Sequence, residues 1–268
     1  MTQEHLHLAV DQCRIRQEKV REVLNSSPAD RAVFVTPENV QYLTGFRPHR
    51  LMSAAVCIDD DGTCTLSAPN AEPEHHAADQ TVTFEAQWHS TLRQEQPELA
   101  VSTLVKALRP VASSKICVEF SACGQHFNRQ LGVESQQLVD VDTAMWKLRR
   151  NKYPDELAMI RRSIACTEAM YETAREIIEP GITELEVFNQ LHETAVEVAG
   201  EPLTALGNDY QCNSPGGSPR PRQAQAGELF ILDLGPAYRG YYADNCRAVA
   251  VSKDPTDEQM RADRKSAA

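Results

Sequence analysis

Apolar and polar residues follow two different periods along this chain, and the order of those periods divides it. Residues 11–24 place apolar side chains at helical steps and predict an amphipathic opening helix. Short apolar runs follow at 32–36, 54–58 and 64–67 and predict strands. The last two are joined by Asp59-Asp-Asp-Gly62, whose Asp-Gly step signals a hairpin. Residues 98–108 return to the helical period, with Leu99, Val101, Leu104, Val105 and Leu108 as the apolar side. Strands at 115–119 and 137–141 enclose a short helix at 125–131. Strands alternating with helices in this way predict an α/β layer domain over residues 12–147.

From Leu148 the period lengthens. Pro154 followed by Asp155 and Glu156 suits a first helical turn, where proline lacks no needed donor and acids meet the positive end of the dipole. Leu157, Ile160, Ile164, Tyr171, Ala174 and Ile178 recur at three- and four-residue steps or their sums and predict one buried stripe. Thr183-Glu-Leu-Glu186 is a capping box that opens a further helix to residue 199. Residues 201–225 have no clear period and read as structureless. The second domain therefore occupies 148–268.

The segment from Leu229 to Arg247 reads as a β-hairpin that holds two aspartates among apolar residues. With the turn centred on Tyr238-Arg239, Asp233 falls directly opposite Asp244, so both carboxylates share one face. Directly opposed residues hold their Cβ atoms roughly 4.5–5.5 Å apart, and like charges there destabilise the pair unless something neutralises them. A divalent cation would do so, and bridging carboxylates at that separation suit the roughly 3.5–4 Å spacing of two-metal hydrolase sites. The pattern equally describes a hairpin whose two acids face water.

Composition narrows the choice. The net charge of −11 argues against nucleic-acid phosphate and against an anionic membrane surface, both of which require Lys/Arg patches. No apolar run approaches membrane-spanning length and the opening residues lack a signal-peptide core, so the expected location is cytoplasmic. The eight cysteines form no C-x-x-C pair and read as reduced thiols rather than a zinc site. His49, His75 and His76 read as loop residues rather than ligands.

Four segments, in this order, resemble the creatinase, prolidase and aminopeptidase P family of pita-bread-fold metallopeptidases. They are Asn39-Val-Gln-Tyr-Leu-Thr-Gly-Phe46, the Arg149-Arg-Asn-Lys-Tyr-Pro-Asp-Glu-Leu157 linker, Pro180-Gly-Ile-Thr-Glu-Leu-Glu186, and the hairpin from Asp233 to Arg247. The resemblance implies an α/β creatinase-like N-terminal domain followed by an α+β pita-bread domain. It implies a dinuclear site for Mn, Zn or Co, a peptide substrate cleaved next to proline, and a homodimer formed through the N-terminal domain. Of the family's five metal ligands, the two aspartates map onto Asp233 and Asp244, and Arg247 maps onto a partner that holds the aspartate.

The remaining ligands, a histidine and two glutamates later in the family's chains, have no counterpart. The last histidine is His192, and Glu258 is the only glutamate after Asp244. Residues 213–222 lack the family's substrate-contacting histidine, and Cys246 stands where the family favours threonine. The expectation is a C-terminally truncated pita-bread domain, about half present, with no catalytic residue of its own and weak or absent metal binding. A non-catalytic peptide-binding or oligomerisation protein on the same fold is the alternative.

Overall fold

The computed structural model describes residues 6–27, 29–110, 115–123, 129–252 and 254–266. Two compact units divide between Asp155 and Glu156.

The first unit is built around a mixed six-stranded sheet. Its strands are β1 (Arg31–Phe34), β2 (Ala55–Asp59), β3 (Cys64–Pro69), β4 (Gln80–Phe84), β7 (Ile116–Val118) and β8 (Leu138–Asp140), in the order β4-β3-β2-β1-β7-β8. Between β4 and β7 lies a small separate hairpin, β5 (Gln87–Trp88) with β6 (Thr91–Leu92). As the Asp-Gly step predicts, β2 and β3 pair antiparallel, while β1 runs parallel to β7.

Side chains alternate across the sheet and feed two cores. On one face Ala32, Phe34, Val56, Ile58 and Leu66 pack with α1 (Val10–Ser26), α2 (Pro37–Thr44) and α4 (Asp142–Arg150) through Val20, Leu24, Leu43 and Met145. On the other, Val33, Ala55, Cys57 and Val118 pack with Ala100, Val101 and Leu104 of α3 (Gln96–Ala107). The unit is a three-layer α/β/α sandwich. The helix expected at 125–131 lies largely outside the described residues.

Buried charge in this unit is answered locally. Glu119, 1% exposed, accepts from the backbone N–H groups of Val35 and Thr36 and from Asn39 Nδ2 at 2.6 Å, holding the entry to α2. Thr36 caps the same helix, and Gly45 closes it in a left-handed conformation with φ 78°.

The second unit carries α5 (Pro154–Ile177), α6 (Glu184–Ala199), and the strands β9 (Ala205–Cys212), β10 (Leu229–Tyr238), β11 (Tyr241–Tyr242) and β12 (Asn245–Ala250), then α7 (Asp257–Ser266). The predicted capping box is present: Thr183 Oγ1 accepts from Glu186 N, and Glu186 Oε2 accepts from Thr183 N at 2.8 Å. Two expectations are corrected here. The stretch 201–225 contains β9, paired along β10. Of the predicted stripe, Tyr171, Ala174 and Ile178 are buried, but Leu157 and Ile164 point to solvent at 37% and 43% exposure, and Met159, Ser163, Cys166 and Met170 complete the buried face.

Candidate metal centre

The hairpin is set by its turn. Arg239 and Gly240 are both left-handed, with φ 48° and 83°, the two-residue geometry that matches strand twist and tolerates glycine best. Tyr238 therefore pairs with Tyr241, and the register continues to Asp233 opposite Cys246. This corrects the expected pairing of Asp233 with Asp244, because the turn lies one residue later than the sequence reading placed it. Asp244 sits two residues along from Cys246, so it keeps the same face as Asp233 but on the diagonal, where separations are roughly 7–8 Å.

Several bonds hold this register against the helices. Ser163 Oγ donates to the Tyr241 carbonyl at 2.6 Å and accepts from Tyr238 N at 3.1 Å. Tyr171 Oη lies 2.6 Å from the Asn245 carbonyl and 3.2 Å from that of Leu232. Arg239 pairs with Glu201 at 2.7 Å, and Gly240 N donates to Thr204 Oγ1 at 3.0 Å. Phe230, Leu232 and Leu234 are fully buried toward the helices, and Tyr210 meets Phe188 of α6 edge-on at 5.0 Å. The alternate positions of β10, including Ile231 and Asp233, are half-buried, and Asp244 and Cys246 are exposed.

A third acid stands on this face that sequence reasoning missed. Asp209 on β9 lies directly opposite Asp233, on the side away from β12. Its Oδ1 accepts from Gly217 N at 2.8 Å, and a Cβ added to Gly216 would fall 2.2 Å from its Oδ2. That close approach explains Gly216, and a Cβ on Gly217 would likewise fall 2.8 Å from Gln211 Nε2. The signal in sequence is faint: Asp209, Tyr210, Gln211 and Cys212 alternate between polar and buried positions over only four residues. Burial first, and then the charges of Asp233, Asp209 and Asp244, push the Cys246 thiol above its ordinary range.

Arg247 pairs across from Leu232, on the helix side of the sheet, and its Nη1 donates to the Cys246 carbonyl at 2.7 Å. A second ionic group anchors the loop between β9 and β10. Glu184, fully buried at the start of α6, accepts from Cys212 N at 3.0 Å, Arg220 N at 2.8 Å and Arg220 Nε at 2.9 Å. Burial alone would raise its carboxyl, but the guanidinium and the backbone donors outweigh that and hold it at about 2. Arg222 likewise holds Glu228 at about 2.

Helices on one face of an antiparallel hairpin sheet, with aspartates on the other, together with an α/β/α unit before them, define the pita-bread metallopeptidase class with its creatinase-type first domain. Residues 16–150 match the model of the creatinase/prolidase N-terminal domain, and residues 158–264 match that of metallopeptidase family M24. The chain belongs to the creatinase, prolidase and aminopeptidase P family.

An uncharacterized peptidase of Staphylococcus aureus is 28% identical over 249 residues, 90% of this chain and 67% of that protein. The prolidase of Pyrococcus horikoshii shares the fold with a TM-score of 0.73 at 20% identity, over 92% of this chain and 67% of its own. Aminopeptidase P of Escherichia coli, solved with the inhibitor Pro-Leu, gives 0.71 at 15% identity, over 95% and 65%. The chain thus spans about two thirds of the length of these relatives, and its second unit corresponds to part of a pita-bread domain.

The carboxylates of Asp233 and Asp244 fit a hard divalent cation in kind, since oxygen donors suit such ions. In number they do not complete a site. Among the described residues no group of three or more His, Cys, Asp or Glu side chains gathers into a metal-binding cluster. No described helix is long and apolar enough to cross a membrane.

Proposed function

We propose that this chain carries part of an Xaa-Pro aminopeptidase or prolidase-type hydrolase, in which Asp233 and Asp244 contribute carboxylates to a dinuclear Mn, Zn or Co site. On its own it binds such ions weakly and has no appreciable peptidase activity. The observation that carries this reading is the shared face of the two aspartates, with Asp209 beside them, on a hairpin fixed from the other side by Ser163 and Tyr171. Like charges gathered on a half-exposed face favour cation uptake. A bound ion there would supply Lewis acidity toward a peptide carbonyl. The chain's own residues hold the carboxylates in register, and two such ligands leave the coordination number open. Arg247 belongs to this reading as a residue that helps hold the aspartate strand. So do domain limits of 12–147 and 148–268, a homodimer through the first domain, and a cytoplasmic location.

The test is a peptidase assay of the 268-residue protein. With added Mn²⁺ and a Gly-Pro or Xaa-Pro-Xaa peptide, the expected result is no turnover above an Asp233→Ala control. Turnover abolished in that control would mean that ligands arrive from elsewhere and would overturn the proposed inactivity. The second reading, a non-catalytic peptide-binding or oligomerisation protein, is favoured by the first unit's complete two-sided core. It requires stable, soluble dimers of this length, which light scattering would detect.

A further inference from the structure

We propose that a second copy of this chain docks on α5, pairing the helix antiparallel with its own counterpart along an apolar seam. Such a contact is independent of the metal reading and separate from the dimer proposed through the first domain. With Thr167 added, the predicted stripe from Leu157 to Ile178 advances in strict alternating steps of three and four, the spacing by which one helix packs along another. The hairpin uses a neighbouring line. Met159, Ser163, Cys166 and Met170 are buried beside the seam, and Ser163 bonds the hairpin at Tyr238 and Tyr241. The seam itself lines an open cavity of about 710 Å³ through Ile160, Ile164, Thr167 and Tyr171. Asn245 and Arg247 of β12 line the same cavity, and among the described residues β12 pairs only with β10. An apolar seam thus lies beside an open sheet edge, a backbone row to which another chain can pair.

Shape and charge both select a copy of the same helix as the occupant. Along the seam, Leu157 and Ile164 stand out at 37% and 43% exposure, whereas Thr167 and Tyr171 lie low at 5% and 8%. One end is a ridge and the other a hollow. An antiparallel copy sets Ile164 over the partner's Thr167 and Ile160 over the partner's Tyr171, and two-fold symmetry makes each contact twice. Arg161, Glu168 and Arg175 recur at seven-residue steps along the exposed flank of the seam, so their charges alternate in sign. The other flank is taken by the helix's own buried residues, Ser163 and Met170 among them, which leaves this one to face its equivalent. In the same register Arg161 then falls beside the partner's Glu168 on both sides of the axis. Flanking charges of this kind decide partner and orientation.

Sedimentation velocity tests this on the 268-residue protein and on Ile164→Asp, Arg161→Glu and Glu168→Arg, with the melting temperature recorded for each. All three positions are exposed, so the variants keep the fold. The unaltered chain is expected to associate, and Ile164→Asp to halve the assembly's mass without lowering the melting temperature. Each charge reversal replaces two attractions by two repulsions and weakens association by about tenfold. Mixing the two reversed variants supplies the decisive readout. Glutamate at 161 in one then meets arginine at 168 in the other, and Glu168 of the first meets Arg161 of the second, so the mixture regains the unaltered affinity that neither variant has alone. Association that Ile164→Asp leaves intact overturns docking on α5 and leaves the first-domain dimer standing. A mixture as weak as its separate components overturns the antiparallel pairing. An unaltered chain that stays monomeric overturns docking on α5 and the first-domain dimer together.

Discussion

Every residue of β1, β2 and β3 is buried, whereas burial alternates along the first half of β10 and largely disappears on β12. The first sheet is covered by helices on both faces, and polar groups that enter it, such as Glu119, are met by backbone N–H donors and an asparagine. In the second sheet, Phe230, Leu232 and Leu234 are fully buried while the positions between them are half-buried. Asp209 of β9 is paired directly with Asp233 of β10, a placement that a purely structural sheet would avoid because like charges destabilise cross-strand neighbours, and Asp244 stands just before β12. The contrast separates residues that hold the fold from residues available for chemistry.

Substitutions should follow that division. Phe34→Ala, in the covered sheet, is expected to cost about 4 kcal/mol in urea unfolding, the range for emptying a buried aromatic site. Glu184→Gln should cost about 3 kcal/mol, the low end for breaking a buried pair, because Arg220 retains 40% exposure. That group also gives the second unit an acid limb. Its carboxyl is depressed from 4.5 to about 2, so its stabilisation is full above 4.5 and fades as pH falls toward 2. Denaturant midpoints measured across that interval should fall for the unaltered protein and fall less steeply for Glu184→Gln, in which Glu228 still titrates over the same range.

A sharper probe compares neighbours. Leu232→Ala should cost about 3 kcal/mol and Ile231→Ala about 1 kcal/mol, since only Leu232 faces the helices. Equal costs would contradict the alternating burial along β10. The smallest effect is chemical: Cys246 is the exposed cysteine, and a thiol reagent should label it first in the native protein, with the buried thiols following only on unfolding.

The two units also differ in how far their sequences betray them. Strands β1 to β3 are legible because burial on both faces demands continuous apolar runs. Strand β4, Gln-Thr-Val-Thr-Phe at the sheet edge, has no such run, and α4 is too polar, with Lys147, Arg149 and Arg150 in its last turn, to declare a helix by its apolar stripe. In the second unit the helices and the Thr183 box are legible, but β9, Ala-Leu-Gly-Asn-Asp-Tyr-Gln-Cys, is not, since it alternates over only its last four residues. The hairpin was readable to within one residue of its turn. Glycine at the second central position, Gly240, was the available signal for the correct centre. The common face of Asp233 and Asp244 survives that slip because the corrected register moves Asp233's partner by two residues, from Asp244 to Cys246, and side chains repeat every two. Asp209 stayed hidden because nothing local announces a strand's partner.

The site depends on one register, and cross-linking tests it most directly. Asp233 and Cys246 form a non-hydrogen-bonded pair, for which Cα atoms are about 4.5 Å apart and a disulfide can close. Asp233→Cys, mildly oxidised and read by mass spectrometry of a tryptic digest, should link the introduced thiol to Cys246, and Asp233→Cys with Asp244→Cys in a Cys246→Ser background should stay reduced. Rapid closure of that second pair, with no link to Cys246 in the first, would place the two aspartates directly opposite each other and contradict the diagonal site described above.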